Sequence, residues 1–331
     1  MADPVIELQL DASRFQRVRH GAVAVVAAPA IFRIEGPGAV QCVQGLLTND
    51  VVKPGDDSLV YGALLTPRGM LVVDYWVLRH AGGLTMIAPR QGQASSQDLF
   101  RRQLPPRLAR VTDHTDTDHV VWLVGEHAFQ TLAKTGLGTL PDACGRVAEV
   151  TTPAGPLLVA LAPEGAPFVA LATGAAEVVA AFAAALRAAG AAAGDATDVE
   201  ANRILRGWPA MGAEIDDRTL PQEVRYDEIG GVSYTKGCYT GQETVARLHF
   251  RGHTNRELRG LVWRDVTPLD GRSVEREGRE VGTVRSVLAL HDRRLALAPI
   301  RREVAPGEEV IAGGRAATVV ALPFGAAELD E

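Results

Sequence analysis

Residues 234–247 read Tyr234-Thr235-Lys236-Gly237-Cys238-Tyr239-Thr240-Gly241-Gln242-Glu243-Thr244-Val245-Ala246-Arg247. Thr240 followed three residues later by Glu243 is a capping-box pattern, and Val245 and Leu248 begin an apolar helical face that Gly252 is placed to stop. The stretch therefore predicts a helix capped by Thr240. Cys238 would sit near its positive end, two positions after Lys236, where a thiol pKa falls from about 8.5 to roughly 3.5–7.5. Gly237 and Gly241 give the backbone freedom to turn. Cys238 and Lys236 are thus candidate catalytic residues. Spacing fixes no partner base, His249 and His253 being nearest. The continuation is basic, with Arg247, His249, Arg251, His253, Arg256 and Arg259 in a short span. That suits an anion site for carboxylates or phosphates. Aromatic residues are too sparsely interleaved to predict a single-strand stacking surface.

Upstream, Ile31–Glu35 reads as a strand, Gly36-Pro37 as a break, and Ala39–Leu47 as a helix with Val40, Val43, Leu46 and Leu47 at helical spacing. Leu59–Leu65 and Met70–Leu78, joined by Thr66-Pro67-Arg68-Gly69, carry a hairpin signal. A second α+β unit follows, with strands at Val120–Val124, Leu157–Ala162 and Phe168–Ala172. Its helices are expected at Glu126–Thr135, Ala175–Ala189 and Asp198–Leu205. Beyond about residue 255, short β-type runs divided by Gly, Pro and Asp predict a small antiparallel barrel. The expected organisation is an α+β body over residues 1–254, with two intertwined subdomains, and a C-terminal β-barrel over 255–331.

The 331 residues carry 34 basic and 40 acidic side chains, a net charge of −6, which argues against a general nucleic-acid coat or a polybasic membrane binder. Cys42, Cys144 and Cys238 form no C-x-x-C pair, so a disulfide scaffold or Cys-rich metal set is not expected. Cys42 and Cys144 read as buried small hydrophobes. No run reaches the roughly 18–20 apolar residues of a membrane helix, and Asp3 and Glu7 do not suit a secretory leader. A soluble protein of a reducing, cytoplasmic compartment is the expectation. P-loop, zincin, nucleophile-elbow and dinucleotide fingerprints are missing. Asp56-Asp57 and Asp216-Asp217 read as turn residues.

The block Lys236–Glu243, with Ala246-Arg247 and Phe250-Arg251-Gly252, resembles the hallmark of the YgfZ-type folate-binding proteins, relatives of the glycine-cleavage aminomethyltransferase (T protein). Supporting stretches are Gln44–Asp50, Gly69 with Asp74, Gly207-Trp208-Pro209, Leu220–Glu223 and Gly230–Tyr234. The resemblance implies three modules around a central cavity that binds tetrahydrofolate or a one-carbon derivative. It also implies a role in iron–sulfur cluster assembly or repair and, through it, tRNA modification, with iron–sulfur client proteins as partners and no direct DNA binding. Carried over by position, Asp74 would meet the reactive folate nitrogens, and Cys238 would be the reactive motif cysteine beside the folate cavity, acting at its mouth. Asn49 and Asp50 would border the opening, and Arg247 and Arg251 would anchor the motif or face the folate tail. The aminomethyltransferases place a pterin-binding glutamate where this chain has Leu205, and they lack the cysteine block. Both departures argue against glycine cleavage, and Glu200 and Glu223 are the substitutes for the missing carboxylate.

Overall fold

The computed structural model describes residues 6–329, and the acidic residue at position 3 lies outside that range. Three sheets organise the chain. In the first, antiparallel throughout, the order is Ser58–Leu65, Leu71–His80, Gly83–Ala88, Ala30–Glu35, Arg110–Asp113. The second runs Ala192–Ala193, Val23–Ala27, Asp118–Val124, Ala170–Ala175, Gly155–Leu161, Val147–Thr152. The chain passes between these two sheets at Ala28-Pro29 and again between Asp113 and Asp118. In the third, Arg256–Trp263, Arg315–Val320, Glu309–Ala312, Ser273–Arg276, Arg279–Thr283 and Arg294–Arg301 form a closed six-strand antiparallel barrel. Gly282 opposite Ile300 completes the ring. Outside it, Ser286–Ala289 pairs with Arg294–Arg301, and the N-terminal strand Ile6–Gln9 runs parallel to Ser286–Ala289. No helix of the described residues is long and apolar enough to cross a membrane.

Strand alternation positions the site. Along Leu71–His80, Val73, Tyr75 and Val77 face helices Ala39–Gln44 and Gln93–Gln103, in one core with Val43 and Phe100. Trp76 and Leu78 face the other way, into a core shared with Val23, Val25, Val120 and Val124 of the second sheet. Asp74 has the parity of that second set, so period-2 geometry turns its carboxyl inward between the sheets. The alanine-rich helix Ala176–Ala188 packs Val179, Phe182, Ala183 and Leu186 on the outer face of the second sheet.

Three local expectations are corrected. The first predicted helix ends at Gln44 rather than Leu47, because Leu47 turns to bridge Leu64. The cap of Gln242–Arg251 is Gly241, not Thr240, and no side chain caps it. Gly241 has φ +83°, and a Cβ there would lie 2.6 Å from the Thr66 carbonyl at the 66–69 hairpin tip, so close packing of two backbones dictates the residue. The thiol of Cys144, expected to be buried, is exposed.

Candidate functional site

Between the first two sheets lies a hollow of about 250 Å³, walled by Tyr61, Trp76, Trp122, Phe168 and Trp208. Trp76 and Trp208 stack with centroids 5.5 Å apart, and Tyr61 contacts both. Asp74 lines this hollow at 8% exposure. Its Oδ2 accepts the Tyr61 hydroxyl at 2.7 Å, while Oδ1 is buried without a partner among the described residues. Tyr61 Oη is also 3.1 Å from Tyr226 Oη. Burial pushes the Asp74 carboxyl above the ordinary aspartate range, against the Tyr61 bond and the charge of Arg203. An unpaired acceptor in an apolar slot is a costly arrangement unless a ligand donor completes it.

Arg203 supplies the cation of this cavity wall. Its guanidinium donates to Glu214 Oε2 at 2.8 Å, to Ser286 Oγ of the C-terminal sheet at 2.7 Å, to the Trp208 carbonyl at 2.6 Å and to Glu200. Although burial opposes the charge, Glu214 and Glu200 hold the guanidinium protonated. Glu200 therefore reaches the cavity wall through Arg203. Leu205 instead packs with Leu258, Leu288, Leu295 and Leu297 at the barrel.

Asn49 and Asp50 line a different, polar cleft of about 480 Å³ with Lys53, Glu164, Glu228 and Thr235, and Tyr61 is common to both hollows. Asn49 Nδ2 donates to the Tyr61 and Gly230 carbonyls at 2.8 and 2.7 Å. Asp50 Oδ1 accepts the Val52 and Lys53 amides and the Gln44 amide side chain. Burial opposes its ionisation, yet these donors bring its carboxyl below the ordinary range.

Lys236 is buried. Its ammonium donates to the carbonyls of Gln44, Leu47 and Asn49 at 2.7, 2.5 and 2.9 Å, closing the end of helix Ala39–Gln44. Burial pushes this ammonium down to about 8, with Asp50 pulling it back up. The three carbonyls favour the charged form as well. Cys238 is exposed in the following loop and lines neither hollow. Glu223 caps the turn at Leu220, accepting its amide at 3.0 Å, and burial raises its carboxyl. It too lines neither hollow, and neither do Arg247 and Arg251, exposed on Gln242–Arg251. Folding thus joins Asp74 to aromatic residues and Arg203, which the sequence did not single out for the site, and separates it from the Lys236–Cys238 loop. The one sequence signal for the aromatic wall was scarcity: of four tryptophans, three line it.

Over 274 residues, 80% of either chain, the sequence is 29% identical to the tRNA-modifying protein YgfZ of Cronobacter sakazakii (strain ATCC BAA-894). The chain is similar to the YgfZ proteins over most of its length. The YgfZ protein of Vibrio atlanticus (strain LGP32) is 26% identical over 262 residues, 76% of this chain and 75% of that one. The model of the GCVT N-terminal domain matches residues 13–140. The glycine cleavage system aminomethyltransferase T of Bartonella henselae superposes with a TM-score of 0.78 at 18% identity, covering 95% of this chain and 89% of that chain. The chain thus has the aminomethyltransferase-like fold.

Proposed function

We propose that this chain binds tetrahydrofolate or a one-carbon derivative in the Asp74 cavity. We further propose that it serves iron–sulfur cluster assembly or repair, and through it tRNA modification, in the cytoplasm. The observation that carries the folate reading is the lone Oδ1 of Asp74 in an aromatic slot. At about 250 Å³ the slot is below the roughly 300–1,000 Å³ of whole-ligand pockets, a size for the bicyclic head with the tail outside. The faces of Trp76 and Trp208 suit a planar ring, and Oδ1 suits its N–H donors. Bound folate would supply the one-carbon carrier. Asp74 would orient its ring nitrogens, Tyr61 would hold Asp74, and Arg203 would favour the ionised carboxyl. Cys238 is the reactive thiol of this reading. Lining neither hollow, it meets a sulfur species or client from solvent, and a single cysteine needs partner residues to hold a cluster.

Calorimetry with tetrahydrofolate tests the first part. Wild type should bind, and Asp74→Asn should lose about 10- to 150-fold, the worth of a hydrogen bond to a charged group. No binding, or equal binding by Asp74→Asn, removes the folate reading. For the second part, wild type should restore iron–sulfur-dependent tRNA modification in a strain lacking its own homologue, and Cys238→Ser should not. Full rescue by Cys238→Ser favours a folate-binding scaffold, a reading that the Lys236 lock supports by making the motif a structural clasp. The fold of the Bartonella T protein raises aminomethyl transfer as an alternative. Leu205, buried against the barrel, supplies no carboxylate for it, and turnover with a lipoylated carrier protein would establish it.

A further inference from the structure

Helix Gln242–Arg251 and the barrel strands Arg256–Trp263 and Arg294–Arg301 carry a set of arginines on a chain whose net charge is −6. Arg247, Arg251, Arg256 and Arg302 are exposed and form no ion pair within the described residues. Glu223 feels the charge of Arg256 without pairing to it. The antiparallel register sets Arg256 directly opposite Arg301, and the Arg302 amide donates to the Asn255 carbonyl at 3.1 Å, fixing the junction. Arg301 is 55% exposed, with Glu303 only at 3.8 Å. Like charges directly across a ladder are destabilising. A helix dipole accounts for Arg251, at the last turn, but not for Arg256 facing Arg301.

On the same helix stands the most exposed large hydrophobic side chain of the described residues, Phe250, at 67% exposure. It is no isolated ring. His249 stacks on Tyr234 with centroids 3.6 Å apart, and Phe250 stands edge-on to both at 4.8 and 6.0 Å. Asp227 holds the base of the stack, accepting the Tyr234 hydroxyl and meeting His249 Nδ1 at 3.2 Å. Tyr234 lies 15 residues before His249, and folding of that segment assembles an aromatic platform that the sparse interleaving of the sequence did not foretell.

We infer that this surface docks a folded RNA, the arginines taking backbone phosphates and Phe250 an unpaired base. Guanidinium forks match phosphate oxygens, and an aromatic ring flanked by cations is the arrangement that receives a splayed base from an RNA loop or end. An acidic protein would use the same arginines, and the polyglutamate arm of the test below separates the two. The inference rests on the tRNA branch of the function proposed above and does not involve the folate cavity.

The test is fluorescence anisotropy of a labelled, unmodified tRNA transcript with the full chain, between about 50 and 200 mM KCl. Wild type should bind with an affinity that falls steeply with salt. Arg251→Gln/Arg301→Glu should bind at least about tenfold more weakly with a shallower salt slope. Its melting temperature should match or exceed that of wild type, because Arg301→Glu turns a repulsive cross-strand pair into an attractive one. Phe250→Ala should weaken binding with the slope unchanged. Absence of binding at the lowest salt, or equal binding by the charge variant, overturns the inference. So does loss of binding to polyglutamate in parallel with tRNA while Phe250→Ala affects neither, which assigns the arginines to an acidic protein. Tetrahydrofolate binding by the same variants should equal wild type, so the RNA and folate readings fail separately.

Discussion

Replacing Lys236 by Met keeps the length of the side-chain stem and removes every donor from the carbonyls of Gln44, Leu47 and Asn49. A buried carbonyl left without a donor costs about 1–3 kcal/mol, and three are affected. Part of this is offset because the variant no longer dehydrates an ammonium, whose cost is visible in its depression to about 8. The net loss should be about 2–4 kcal/mol, a fall in melting temperature of about 3–6 °C for a chain of this size. Lys236→Arg should not rescue it, since a planar fork does not present three donors to oxygens gathered around one point. The assay is thermal unfolding followed by circular dichroism, paired with the alkylation rate of Cys238 in a Cys42→Ser/Cys144→Ser background. The clasp predicts a thermal shift of at least about 3 °C. A melting temperature within about 2 °C of wild type, together with slower alkylation of Cys238, would refute the clasp and restore Lys236 as the activator of the thiol.

Asp74→Asn should reveal the cost of a buried carboxyl. Burial raises its folded pKa, so the unfolded chain ionises first as pH increases. Wild type therefore loses stability relative to the variant from near the unfolded value up to the folded one, by about 1.4 kcal/mol per unit of displacement. Urea unfolding at low and neutral pH should show Asp74→Asn gaining on wild type toward neutrality, and the opposite trend would contradict the burial argument. Gly241→Ala forces φ +83° on a Cβ that meets the Thr66 carbonyl. It should cost about 2–3 kcal/mol in denaturant unfolding, whereas Gly237→Ala, with open space at its Cβ, should cost little. Glu214→Leu leaves the buried Arg203 with Glu200 as its carboxylate partner and should cost about 3 kcal/mol. A change in the unfolding midpoint too small to measure would mean that Glu200 suffices.

Much of the fold is local and could be read from the residues. The hairpin around Thr66–Gly69, the small-residue helix Ala176–Ala188 and the short strands after residue 255 follow from periodicity and turn chemistry, which neighbours in sequence set. The Lys236–Glu243 block pointed to the family, and the curated relatives agree. Asp74 could be singled out only through that resemblance, since an aspartate within an apolar strand carries no label of its own.

Which residues surround Asp74 was a matter for the tertiary structure. Trp76, Trp122 and Trp208 come from a strand of the first sheet, a strand of the second and the segment after a helix, and they converge only when the two sheets close on each other. Docking of the segment 234–251 against the first-sheet unit turned Lys236 from a neighbour of Cys238 into a partner of three carbonyls nearly two hundred residues earlier. It also moved the helix cap to Gly241, where the hairpin leaves no room for a side chain. Sequence determines which local geometries are cheap; the identity of a buried polar group's partners depends on desolvation, and that exists only once distant segments have excluded water from between them.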